Sequence, residues 1–436
     1  MCAMPMSGPM TDSVNALPPT QPAPERLTLD YVPRPGLWKI MFTNLFMGVF
    51  TLTIWHFWGK TNVRKHIWSC IHINGEPLEY TGKGGELFRG FMLVFVIFIL
   101  PVLLITGWLV LSRGPNDPAI SHLNLVFFAA GYLLSGFALY KARNYQLSRT
   151  NWRGIRGNMA GSAGLYSLTY FGNILAKWFS LGWATPVMNV VMSEQMIGDM
   201  RFGDAAFKFK GRAAPLYPTY ALCWFLTLFL IFGGGFFLAY ELVQWMGPNV
   251  EEAFKHVFKT AETVKPSPED LTVVGYVMLG IMSSLFLYIL AIPALWAIYS
   301  AKELRTLANY TRFDGAQFKL NATWANVIWL AIGNFMIVLI AILIGMGFIS
   351  ALLFGLANSG LEKSTVAVIL AAFSVLIVYQ GVWALSRPLI TQRNIAFIIK
   401  RLKLDGAIDL ARIRQSVAAQ PKRGEGLADA FDLGAW

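Results

Sequence analysis

The chain has 436 residues, 55% of them hydrophobic and 14% charged, with a formal net charge of +12 and a mean hydropathy of +0.50. Soluble domains carry about 25% charged residues, so this composition excludes an ordinary soluble protein. The three cysteines (Cys2, Cys70, Cys223) offer no disulfide framework.

Residues 1–26 hold six prolines and little to bury, and read as a disordered tail. No basic segment followed by an apolar run marks a cleaved signal peptide there. Residues 27–31 alternate like a strand. An apolar stretch, 37–58, then leads into a basic, helix-like run ending in KTNVRKHIWSCIHING (60–75). Five later runs contain no Asp, Glu, Lys or Arg: 90–112, 213–240, 271–301, 320–361 and 364–386. About 20 helical residues cross a hydrocarbon core of about 30 Å, so each run is long enough to span. The outer loop 246–270 carries Glu251, Glu252, Lys255, His256 and Lys259 and reads as a short amphipathic helix ended by Pro266 and Pro268.

The basic run at 60–75 has relatives at 141–157, 190–203, 302–315 and 393–406. Each leaves an apolar segment and ends on a bulky residue and glycine. Asn74-Gly75, Asp314-Gly315 and Asp405-Gly406 are hairpin signals, because both central residues of a type I′ turn need φ > 0. Alternating apolar residues follow: Leu78 and Tyr80, Phe207 and Phe209, Phe318 and Leu320. These hairpins either share a small sheet or stand as separate interfacial turns. A longer period is visible as well, since Asn44 through Trp55 parallels Asn173 through Trp183. The expected organisation is a tail (1–26), two membrane repeats (27–152 and 153–314), a membrane hairpin with a basic module (315–406), and a cytoplasmic tail (407–436).

Most of the 36 Lys and Arg residues fall in the N-terminal part, in the hairpin modules and after residue 387. Cytoplasmic loops hold excess Lys and Arg, so both termini and every hairpin are expected on the cytoplasmic side. Segments 37–58 and 162–196 must then enter and return, or lie in the interface. The rival reading has 37–58 crossing once with the N-terminus outside. The fold class expected is an all-α polytopic membrane protein, with about six full spans, two paired short or re-entrant segments and small cytoplasmic β-hairpins.

The stretch TLTI (51–54), the aromatic run 55–58, Arg64, Lys65 and NGEPLEYTGKG (74–84) resemble the YjgN-like bacterial inner-membrane proteins, a family of unknown function. RFGDAAFKFKG (201–211) and NYTRFDGAQFKL (309–320) fit the same pattern, so the resemblance covers roughly 27–406. The chain departs from it at 52–58, which reads LTIWHFW where the family tends to LGIYxPW; LGWATP (181–186) keeps the glycine and proline. The resemblance implies a multi-pass inner-membrane protein and supplies neither a catalytic residue nor a substrate.

A charge at the bilayer centre costs about 2.5–3.5 kcal/mol on insertion scales, so each one kept there needs a reason. Asn44, His56, Asn173, Lys177 and Glu194 fall in the short paired segments and are candidates for a polar cavity between repeats. Lys177 and Glu194 have a second reading as side chains that snorkel to the interface. Arg64, Lys65, Lys141, Arg149, Arg153, Arg156, Arg305 and Arg312 are read as topogenic residues facing lipid headgroups, each contributing about 1 kcal/mol near anionic lipid. That accounts for the positive charge without nucleic acid. His66 and Cys70 share a helical face, but with His72 they fall short of the four ligands of a structural zinc site, so no metal is expected. HExxH, GxSxG and GxxxxGK[ST] do not occur, so neither an enzyme nor a cofactor is expected. Transport of a small solute or lipid is the leading expectation, a scaffold binding a partner through the hairpins the second, and a membrane enzyme the third; oligomeric state stays open.

Overall fold

The computed structural model describes residues 25–246, 268–358, 364–417 and 420–421. Residues 1–24 and the amphipathic segment expected within 246–270 lie outside them, save for its ends.

The chain alternates short strands with pairs of helices. Strand β1 (Leu29–Tyr31) leads to α1 (Leu37–Phe50) and α2 (His56–Ser69), which return to β2 (Ile71–Ile73). β3 (Glu76–Pro77) runs past Leu78 into β4 (Glu79–Tyr80). Helix α3 (Gly84–Val94) continues through a π turn (Phe95–Ile99) into α4 (Leu100–Arg113), and α5 (Pro118–Arg149) returns to β5 (Thr150–Trp152). The π turn falls just before Pro101, whose missing N–H leaves the ladder a gap to absorb. β6 (Ile155–Met159), α6 (Ala163–Phe179), α7 (Thr185–Asp199) and β7 (Met200–Phe202) follow. Next come β8 (Ala205–Phe209), α8 (Tyr217–Met246), α9 (Pro268–Tyr310) and β9 (Thr311–Phe313). The last elements are β10 (Ala316–Leu320), α10 (Trp324–Asn358), α11 (Thr365–Ile399) and β11 (Leu402–Asp405).

The strands on either side of every helical pair are antiparallel neighbours. β1 faces β2 with Leu29 opposite Ile73, β4 faces β5, β6 faces β7, β8 faces β9, and β10 faces β11. Both ends of each helical pair therefore meet the same sheet. The helices of two pairs are short: α1 and α2 have 14 residues each, α6 has 17 and α7 has 15. At 1.5 Å per residue these reach about 21–26 Å, less than a hydrocarbon core. Among the described residues, five helical stretches are long and apolar enough to cross a membrane: Gly84–Arg113, Pro118–Arg149, Ala214–Phe236, Trp324–Asn358 and Ile369–Ile399.

The all-α expectation needs amending, because the hairpins join. One sheet runs in the order β11-β10-β9-β8-β7-β6-β5-β4 and a second in the order β1-β2-β3. β3 and β4 are one continuous pass, where the Leu78 N–H donates to the Ile71 carbonyl at 2.8 Å. At the other side, Glu25 and Ile408 exchange both backbone bonds at 2.9 Å. The two sheets thereby close into a ring, with tight turns on one rim and helical pairs on the other. The helices follow the same order, and α11 closes back on α1. Non-glycine residues take φ > 0 at Asn74 (50°), Arg153 (49°) and Asp314 (44°), each followed by a glycine, which gives the type I′ geometry.

The tips of the two short helical pairs share one hydrogen-bond pattern. Thr51 Oγ1 accepts from the Trp55 N–H at 2.9 Å, and Ser180 Oγ accepts from the Ala184 N–H at 2.9 Å. The Thr53 N–H donates to Gly48, and the Gly182 N–H donates to Lys177 at the matching place. Leu52 and Thr53 have φ of 46° and 76°; Leu181 and Gly182 have 51° and 89°.

Candidate functional site

The ring encloses a cavity of about 390 Å³. Side chains alternate across a strand, so every second residue faces inward. Leu29, Ile73, Phe207, Phe313, Phe318 and Leu404 come from six strands and all line the space. Their aromatic members form a continuous inner wall: Phe207 stacks on Phe313 at 4.5 Å, and Phe202 stands edge-on to Phe313 at 6.4 Å. Leu147 and Ile399, in the last turns of α5 and α11, line the helix side. Phe209, next but one to Phe207 and so on the same face, is buried with Val190, Leu216 and Tyr220 under the helices. The opposite face of these strands carries Lys208 beside Arg312 and Lys319 beside Lys403.

The turn side is covered by the segment after β11. Ile408 and Ile413 are buried beside Phe313 and Ala316, and Leu410 lines the cavity. The sequence reading assigned this stretch to a tail. The Asp409 N–H donates to Asp314 Oδ2 at 3.0 Å, the Asp204 N–H to the Arg414 carbonyl at 3.0 Å, and the Arg414 N–H to Asp204 Oδ1 at 2.9 Å. Gln415 Nε2 donates to the Gly154 carbonyl at 2.8 Å and its Oε1 accepts from the Arg156 N–H at 3.1 Å.

A polar belt backs the wall at β4 and β5. Arg64 on α2 is 1% exposed and donates to the Tyr80 hydroxyl at 3.3 Å; Lys60, one turn earlier, is 2% exposed. Trp68 Nε1 donates to Thr150 Oγ1 at 2.8 Å. Tyr145 donates to Glu86 Oε2 at 2.8 Å, and Arg149 reaches the same oxygen at 3.1 Å. Nearby on the turn rim, Arg153 contacts Glu76 at 2.9 Å and stands 4.8 Å from the Trp152 ring. The Arg153 hydrogen bond holds the Glu76 carboxyl below its ordinary value. Burial pushes Tyr31, beside Cys70, up to about 12. Burial also lowers His66, with the Arg34 charge adding to it.

The sequence-derived cavity residues sit apart from the lumen. Asn44 is buried inside the first short pair, accepting from Trp55 Nε1 at 3.2 Å and donating to the Gly59 carbonyl at 3.4 Å. His56 lies 3.9 Å from the Trp383 ring of α11. Asn173 donates to the Thr169 carbonyl of its own helix at 2.8 Å, while Lys177 and Glu194 are exposed. None of the five lines the ring cavity. Of the basic set, Lys65, Lys141, Arg305 and Arg312 are exposed. Arg64 is buried and Arg149 half-buried in the belt instead of facing headgroups, and Arg153 and Arg156 bind acidic or C-terminal groups of the chain itself. Among the described residues no group of three His, Cys, Asp or Glu is placed to hold a metal. The lumen residues escaped the sequence reading, although their alternation around Phe207 and Phe318 was visible.

Long apolar helices in pairs, all returning to one β-ring, define a polytopic membrane protein. The comparisons agree on the family. A family described as bacterial proteins of unknown function (DUF898) matches residues 35–430, and the chain belongs to it. It is also similar to the inner membrane protein YjgN of Salmonella typhimurium (strain LT2), with 29% identity over 118 residues. That match covers 27% of this chain and 27% of the relative. No solved structure matches.

Proposed function

We propose that this chain is a multi-pass inner-membrane protein that carries a small apolar solute or lipid, and that the ring lumen holds its hydrocarbon part. The hairpin rim and both termini face the cytoplasm in this reading, as the Lys and Arg distribution requires. The observation that supports it best is the lumen itself. Its volume of about 390 Å³ falls within the range of small-molecule sites, roughly 300–1,000 Å³. Its wall is mostly leucine, isoleucine and phenylalanine, with Trp152 and Met200 among them. Protein cores are ordinarily packed like crystals, and apolar cavities stay dry and take apolar guests. The protein acts by binding and passage, without catalysis or cofactor. The two short helical pairs are copies of one unit, as their matching tips support.

Native mass spectrometry of the purified chain tests this. An apolar ligand should stay bound to the natural protein and be lost from Leu404→Trp, which fills the lumen. A natural protein that carries no such ligand, and takes up no added fatty acid, overturns the reading. A scaffold reading draws support from the turns, which grip an extended segment of the chain itself. Stoichiometric capture of one partner by a crosslinker at Gly75 favours it.

A further inference from the structure

We infer that residues 409–415 form a lid on the cytoplasmic mouth of the lumen, opened for ligand entry and closed after it. The inference rests on the lumen being a binding site. The segment passes three successive turns of the rim: Asp314-Gly315, Gly203-Asp204 and Arg153-Gly154. It makes no strand of the ladder. Its anchors differ in kind from those of the wall. Two of the N–H groups that fasten it bind carboxylates of turn residues, Asp314 Oδ2 and Asp204 Oδ1. The third turn holds it through the amide of Gln415. Net, such bonds contribute about 0.5–1.5 kcal/mol each, up to about 3 where the acceptor is charged, so a handful can break without opening the ring.

The inward side of the segment does the closing. Leu410 lines the cavity and Ile413 is buried beside Phe313, while Arg412 and Arg414 lie exposed on the outer side. An apolar chain entering from the turn side must displace Leu410. Gly203 records how closely the lid sits. It has φ of 59°, and a Cβ there would collide with the Arg414 carbonyl oxygen.

A reversible lock tests the lid. In Asp204→Cys/Arg414→Cys, a disulfide takes the place of the bond between the Arg414 N–H and the Asp204 carboxylate in joining rim to lid. The full chain in vesicles of phosphatidylethanolamine and phosphatidylglycerol is given a diazirine-bearing palmitate, photolysed at set times, and adducts on β8 and β10 are counted. The lid predicts adduct formation about tenfold slower in the oxidised form, corresponding to about 1.4 kcal/mol. Reduction of the same protein restores at least the natural rate, since one carboxylate anchor is gone, which excludes misfolding as the cause. Arg414→Ala, whose backbone bonds are intact, should behave as the natural protein. Equal rates in the oxidised and reduced forms overturn the lid and leave the lumen reading standing. No lumen adducts in any form overturn the lumen reading and the lid with it.

Discussion

Tyr145 on α5 donates its hydroxyl to Glu86 on α3 at 2.8 Å, tying two membrane helices together just beneath the ring. Arg149 shares that carboxylate at 3.1 Å, with side-chain exposures of 11% for Arg149 and 14% for Glu86. Removing one partner of such a pair strands the other. Glu86→Gln is therefore expected to lower stability by about 3 kcal/mol, at the lower end of the range for broken buried pairs, because Gln420 and Pro421 still accept from Arg149. Thermal unfolding in detergent measures it, and an unchanged midpoint rejects the buried-pair account.

The two short helical pairs allow a paired comparison. Asn44→Ala removes the acceptor of Trp55 and the donor to Gly59 in a buried place, for an expected loss of about 2 kcal/mol. Asn173→Ala removes only a bond within its own helix, and should cost about 0.5 kcal/mol or less. Equal losses in denaturant unfolding would contradict this assignment of roles.

Thr53 holds a β-branched side chain at φ 76°, where the second tip has Gly182 at 89°. Backbone strain of this kind costs about 1–3 kcal/mol. Thr53→Gly should consequently stabilise the protein by about 1 kcal/mol, in spite of glycine's greater freedom when unfolded. A fall in stability on this substitution argues against strain at the tip.

His66 supplies a pH dependence of definite sign. Its folded pKa is lowered from 6.5 by burial first and by Arg34 second. Between the folded and unfolded values the unfolded chain binds more protons, so stability rises with pH through that window. The contribution is complete above about 6.5 and is lost as pH falls towards the folded value. His66→Gln should flatten the unfolding midpoint between pH 7.5 and 5.5. A slope that survives the substitution assigns the dependence elsewhere.

Gly203→Ala places a methyl group against the Arg414 carbonyl at a backbone angle that suits glycine. It should loosen the lid and speed tryptic cleavage after Arg412 and Arg414 severalfold, at a cost to global stability of about 1–3 kcal/mol. Cleavage at the natural rate means that the turn tolerates the methyl.

Much of the membrane part was legible because roughly 20 apolar residues without charge leave few alternatives. Asn74-Gly75 and Asp314-Gly315 likewise announced their turns. The ring was not legible: strands such as Glu79–Tyr80 are too short for periodicity, and their partners at Thr150 and Asn151 lie about 70 residues on. Burial of Arg64 could not be read either, since a basic residue after an apolar run looks topogenic until Tyr80 is seen beside it. Residues 408–415 looked like tail because three apolar side chains among polar ones give no element of their own.

The ring also sets an order of assembly. Apart from the closing contact, every strand pairs with a strand adjacent in the chain, across either a tight turn or one helical pair. A chain made from its N-terminus can therefore insert one helical pair at a time and zip each new strand to the last. Glu25 waits for Ile408, so the barrel stays an open arc until residue 408 has left the ribosome. Its apolar interior is exposed for that interval, which makes translation past residue 408 the step after which the nascent protein no longer offers a sticky edge to its neighbours.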